Sequence, residues 1–333
     1  MKTHMRTMIT AGALLVGFAI GTHAQSLSYN SGQGVAPAYE GWEETVDGVK
    51  YFLFGYMNRN WEEEIDLAVG PQNAFSPGAS DLGQPTHFLP RRNRFVFKVP
   101  VPPNFTEKDE LVWTLTAHGN TEKAYASLRV DYKVDDVVKA SETGALGAGS
   151  SSPEVRANKP PAVALVGDRT RSVRVGEPLT LTAIVTDDGI PKSKLAKQLA
   201  SLAARVPTQA PAAGEAGVPT AAAPTEVPVR RNPFLVPPTR ITVGKSVGLH
   251  LSWYVYRGAG AVTFTPDQIK PWEDTRVGAN SPWAPLWIPP TIPVEGTVVT
   301  TVTFSTPGTY MLRGVADDGA LLGSEDVTVT VKP

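Results

Sequence analysis

The chain has 333 residues, no cysteine, 31 basic against 32 acidic side chains and a net charge of −1. That length supports two ordinary hydrophobic cores. The missing cysteines exclude disulfides, thiolate metal sites and lipid attachment through a cysteine, and the balanced charge gives no electrostatic case for nucleic acid or an anionic membrane surface. Thirty glycines and thirty prolines suit a protein of strands and turns better than one of helices.

In chain order, Lys2 and Arg6 precede an apolar run over residues 8–20 and the small-residue sequence Gly21-Thr22-His23-Ala24. This is the three-part form of a secretory signal peptide, with cleavage expected after Ala24. The run is too short to span a bilayer, and no later segment is long and apolar enough to do so. The expectation is an exported chain, periplasmic or extracellular, with no transmembrane segment after signal removal.

From residue 49 the pattern becomes short strands with turn punctuation. Residues 49–57 (VKYFLFGYM) are apolar on both alternating faces, as a buried central strand would be. In 64–69, Ile65, Leu67 and Val69 share one face while Glu64 and Asp66 take the other. Residues 70–90 read as a long loop. Strands follow at 94–99, 111–117 and 125–130, with Leu111, Trp113 and Leu115 as an inward row. These elements predict a first β-sandwich over 25–140.

Residues 141–161 (SETGALGAGSSSPEVRANKPP) have no hydrophobic periodicity and read as a linker. The second module, 162–333, has predicted strands at 162–165, 172–175, 179–186, 248–256, 262–265, 297–304, 309–316 and 326–331. An insertion over 190–240 interrupts it: 192–205 carries Leu195, Leu199 and Leu202 at helical spacing, and an Ala/Pro tract follows. The fold class is therefore all-β, two β-sandwich modules, the second with a helical and Ala/Pro-rich insertion.

The second module also carries a resemblance. Ser305-Thr306-Pro307-Gly308-Thr309-Tyr310, then Ala316-Asp317-Asp318-Gly319, then Asp326-Val327-Thr328-Val329-Thr330-Val331 resembles the end of a polycystin-type (PKD-like) immunoglobulin-like domain. The likeness extends more loosely to Val175-Gly176-Glu177-Pro178-Leu179 and Leu251-Ser252-Trp253-Tyr254. It implies a sandwich serving as a spacer or adhesion unit. It also implies a tyrosine corner at Tyr310 and a core pin of Leu181, Trp253 and Leu312 in place of a disulfide.

Three groups of side chains are candidate sites. Strand order in such a sandwich brings Asp187-Asp188-Gly189 and Asp317-Asp318-Gly319 to one end, where four carboxylates, with Asn158 and Asp168, would suit Ca²⁺. The same tripeptides are also ordinary turn chemistry. Trp272, Trp283 and Trp287 fall in one long loop and would form either a carbohydrate- or protein-binding face or an internal mini-core. An interface between the modules, formed by that loop and the acidic turns, would explain both features.

His87, Arg91 and Arg92, with Arg94 nearby, would either hold an anion or pair with the acidic run Glu62-Glu63-Glu64 and Asp66. Metalloprotease, nucleophile-elbow and phosphate-loop motifs are absent. The expected role is a non-catalytic binding or structural protein of adhesion or scaffold type with no cofactor beyond a possible Ca²⁺. A carbohydrate-binding accessory module is the alternative, and a hydrolase with an unfamiliar site the third reading.

Overall fold

The computed structural model describes residues 29–142, 153–192, 248–268 and 290–333. The signal-like segment 1–24, most of the insertion, and Trp272, Trp283 and Trp287 lie outside the described residues.

The first module is a β-sandwich. One sheet has the order β1 (Val35–Glu44), β2 (Lys50–Asn58), β6 (Arg91–Pro100); the other pairs β4 (Asn73–Ser76), β7 (Leu111–Ala117) and β8 (Asn120–Ala126). A ribbon of β3 (Ile65–Asp66) and β5 (His87–Phe88) closes one side. β7 alternates strictly, burying Leu111, Trp113, Leu115 and Ala117. β2 is buried over Phe52–Tyr56 because it is the central strand of its sheet.

Between the sheets Phe54 stacks on Phe97 at 5.4 Å and Phe75 on Trp113 at 5.7 Å, and Trp113 meets Phe97 edge-on at 5.1 Å. Buried Trp113 satisfies its indole N–H on Asn73 Oδ1 at 3.0 Å. These rings bury a large apolar surface at the centre of a disulfide-free core.

Two expectations are corrected here. Strands begin earlier than residue 49: β1 contains Pro37, which it tolerates as an edge strand, where a missing N–H need cost no ladder bond. The expected loop 70–90 contains β4 and β5, which are too short and too closely flanked by Gly and Pro to show a period.

The segment read as a linker is partly structured. Helix α1 (Asp136–Glu142) runs into it and α2 (Pro153–Ala157) lies within it. Fully buried Ala140 of α1 packs with Ala320 and Leu321 of the second module.

The second module has two facing four-stranded sheets. One runs β10 (Thr170–Arg174), β16 (Leu322–Lys332), β15 (Gly308–Asp317), β12 (His250–Arg257); the other runs β13 (Val262–Thr265), β14 (Thr297–Phe304), β11 (Leu179–Thr186), β9 (Ala162–Leu165). The chain leaves β9 in one sheet and enters β10 in the other, where β10 runs parallel to β16. That switch between sheets, with Greek-key connections, is an immunoglobulin-like arrangement.

Leu181, Trp253 and Leu312 meet in its core at 0%, 2% and 0% exposure, so apolar packing spans the two sheets where a disulfide would otherwise stand. Gly314 is required beside this pin, since a Cβ there would sit 2.9 Å from the Trp253 ring. The Tyr310 hydroxyl donates to the carbonyl of Ala259 or Thr306, 2.8 and 3.0 Å away, closing the tyrosine corner. Among the described residues no helix is long and apolar enough to cross a membrane.

Candidate functional site

β12 is buried on both faces, and each face has its own use. Trp253 and Val255 enter the second module's core with Leu251 packed against it, whereas Tyr256, 1% exposed, belongs to the core cluster of the first module, against which Tyr254 and Met311 also pack. The Tyr256 hydroxyl donates to Gly83 O at 2.6 Å, and its carbonyl accepts from Thr86 N at 3.1 Å. Gly258 N donates to Thr86 Oγ1 at 3.1 Å. The sheet of one module thus continues hydrogen bonding into the other.

Two arginines complete this joint. Arg313, on β15, holds Asp326 through Nε and Nη2, both at 2.7 Å, and donates from Nη1 to Val96 O of the first module at 2.6 Å. Its guanidinium lies 3.6 Å from the centre of the Tyr256 ring. Burial by itself would lower the Arg313 pKa, but the Asp326 bonds outweigh it and raise it, so the charge is permanent. Arg257 grips Asp81 at 3.0 and 2.7 Å and Gln84 O at 2.8 Å, and that hydrogen bonding draws the Asp81 carboxyl below its usual range. An open groove of about 470 Å³ lies along the joint, lined by Val69 and Thr86 of the first module and by Arg257, Tyr310 and Met311 of the second.

This joint lies on the face of β12 and β15; the expected interface also involves Trp272, Trp283 and Trp287, which lie outside the described residues, and next to the Asp317–Asp318 turn Ala320 and Leu321 pack on Ala140 of α1. The second face of β12 needs a partner surface broader than a turn supplies. None of Arg313, Asp326, Tyr256, Arg257 and Asp81 was singled out from the sequence. The available signal was the doubly apolar Leu251–Tyr256 run, the same pattern that marks β2 as buried.

In the acidic turns, Asp187 Oδ2 accepts from Gly189 N at 2.8 Å, and Asp317 Oδ1 from Gly319 N at 2.7 Å. Asp188 accepts from Ile190 N and Lys159 N, and Asp318 from Ala320 N, Leu321 N and the Asn158 carboxamide. The two turns do lie at one end, bridged by Asn158 and Lys159. Burial raises the pKa of both Asp187 and Asp318. Among the described residues no three His, Asp or Glu side chains form a group able to hold a metal. Asp168 lies elsewhere, on the turn between β9 and β10, where its carbonyl accepts from Arg171 Nε.

His87, Arg91 and Arg92 are engaged within the protein. His87, 8% exposed, contacts Asp66 through Nδ1 at 2.7 Å and Glu64 through Nε2 at 3.2 Å. Burial would lower its pKa, but the two carboxylates win and hold it at about 9. Arg91 lies 4.0 Å over the Trp61 ring and donates to Arg59 O. Arg92 Nη2 is 2.7 Å from the buried Glu40 carboxylate. His118 pairs with Glu63 at 3.0 Å, and His250 Nδ1 with Gly248 O at 2.8 Å.

No family model and no curated protein matches the chain. Among solved structures, the S-layer protein rSbsC is 9% identical over 86% of this chain and 24% of its own, with a TM-score of 0.21. An I-band fragment of titin is 9% identical over 90% of this chain and 64% of its own (TM-score 0.21), and the Yersinia pseudotuberculosis adhesin InvE 9% over 91% and 60% (TM-score 0.22). The chain thus spans about a quarter of the S-layer chain and under two thirds of the other two. Likeness at this level says nothing of what the chain does, and the sandwich architecture follows from its own strand pairing.

Proposed function

We propose that this chain is an exported, non-catalytic structural protein of scaffold or adhesion type, in which two β-sandwiches are held as one stiff unit. The joint supports this reading most directly. It combines a tyrosine from one module buried in the core of the other, a bidentate Arg313–Asp326 pair tied to Val96, and a main-chain bond across the boundary from Thr86 N to Tyr256 O. Linked modules with few contacts move independently, whereas a boundary with an apolar anchor and several hydrogen bonds across it resists relative motion. The described histidines are each bonded to groups within the protein, which suits stability rather than turnover.

Urea unfolding of the mature chain, followed by tryptophan fluorescence and far-UV circular dichroism, tests the stiff unit. One coincident transition is expected, splitting into two in Arg313→Ala; two separate transitions in the unaltered chain would refute it. Export is tested by fractionation and N-terminal sequencing, with Gln25 expected as the first residue.

A further inference from the structure

The end of the second module that carries the two acidic turns holds oxygens that its hydrogen bonds leave unsatisfied. Asp187, Asp188 and Asp318 have no Lys or Arg ion-pair partner among the described residues, although two of them sit where burial disfavours their charge. Two oxygens there, Asn158 Oδ1 and Asp187 Oδ1, are shielded from solvent and accept no hydrogen bond. Asn158 is 6% exposed, and its Nδ2 donates to Asp318 Oδ2 at 3.0 Å, which fixes the carboxamide within the cluster. Its neighbour Lys159 donates its main-chain N–H to Asp188 Oδ2 at 3.0 Å, so this short segment ties the two acidic turns together.

A buried acceptor without a donor costs about 1–3 kcal/mol. Two such oxygens beside carboxylates whose charge burial disfavours suit a cation, since a water would supply donors but no charge. We propose that Asn158 Oδ1 and Asp187 Oδ1 are ligands of a Ca²⁺ ion bound between the Asn158–Lys159 segment and the turn after β11, with Asp318 holding the Asn158 carboxamide in place. Ca²⁺ accepts carboxamide, main-chain carbonyl and water oxygens alongside carboxylate, in flexible geometry, so it does not require three converging carboxylates. Mg²⁺ demands a tighter octahedron and sheds water reluctantly. The ion would lock the connecting segment onto the second module.

The full mature chain, stripped with chelator, is titrated with CaCl₂ by calorimetry and melted in CaCl₂, MgCl₂ or NaCl at matched ionic strength. One saturable site is expected, with a Kd of about 10⁻⁴–10⁻³ M, the range of extracellular modules, and a melting temperature raised by CaCl₂ alone. Asn158→Ala and Asp187→Asn should each weaken binding at least tenfold, while Asn158→Asp, which keeps a ligand oxygen, should still bind. The proposal is overturned by absence of saturable binding, by an equal melting shift in all three salts, by unchanged affinity in Asn158→Ala or Asp187→Asn, or by lost binding in folded Asn158→Asp. None of these outcomes bears on whether the modules unfold together.

Discussion

Arg313 is a single side chain that joins three partners. Replacing it by alanine leaves Asp326 without its counter-charge and Val96 O without its donor, a loss of roughly 2–4 kcal/mol once partial exposure of Asp326 is allowed for. Arg313→Lys should recover little, because an ammonium cannot hold Asp326 through two nitrogens while also reaching Val96 and lying over Tyr256. Chemical denaturation of both variants checks this.

His87 makes a second residue-scale prediction. Its folded pKa of about 9 lies above the ordinary histidine value of 6.5, so its contribution is fully present below about pH 6.5 and is lost as pH rises through about 9. The contribution is roughly 2–3 kcal/mol. Denaturation series at pH 6 and pH 10 should differ by about that amount in the unaltered chain and much less in His87→Gln; equal sensitivity of the two proteins would remove the assignment.

Among elements, β15 carries the most distinct duties. Inward, Leu312 and Gly314 complete the pin with Trp253; at its start, Tyr310 closes the corner; outward, Met311 and Arg313 meet the first module. Tyr310→Phe keeps the ring and removes only the hydroxyl bonds, so a loss of about 1–2 kcal/mol is expected without change of fold. Gly314→Ala drives a methyl into the Trp253 ring and should cost about 1–3 kcal/mol. Thermal melts of the two variants, with near-UV circular dichroism reporting Trp253 packing, separate a lost bond from a displaced core.

At the scale of the whole molecule, the joint makes the modules interdependent. Tyr256→Ala would empty a site in the first module's core and cost about 3–5 kcal/mol, although residue 256 belongs to the other module. Small-angle scattering should show one fixed arrangement for the unaltered chain and a broader distribution of separations for this variant; indistinguishable curves would mean that Tyr256 does not hold the joint.

The local rules of period and turn chemistry determined a good deal from the sequence alone. The strict alternation of Leu111–Ala117 depends on near neighbours and is found where the pattern places it, while the corner at Tyr310 and the pin of Leu181, Trp253 and Leu312 follow from the resemblance and are present in the second module's core. Proline in β1 and the short strands β4 and β5 escaped because their identity depends on which strand pairs with them. Only the tertiary structure decided what covers the second face of β12, that Arg313 reaches Val96, and that Asn158 is buried against Asp318. Those contacts join residues more than a hundred positions apart. A strand's period states that a face must be buried, whereas the partner that buries it is set by how whole sheets come together.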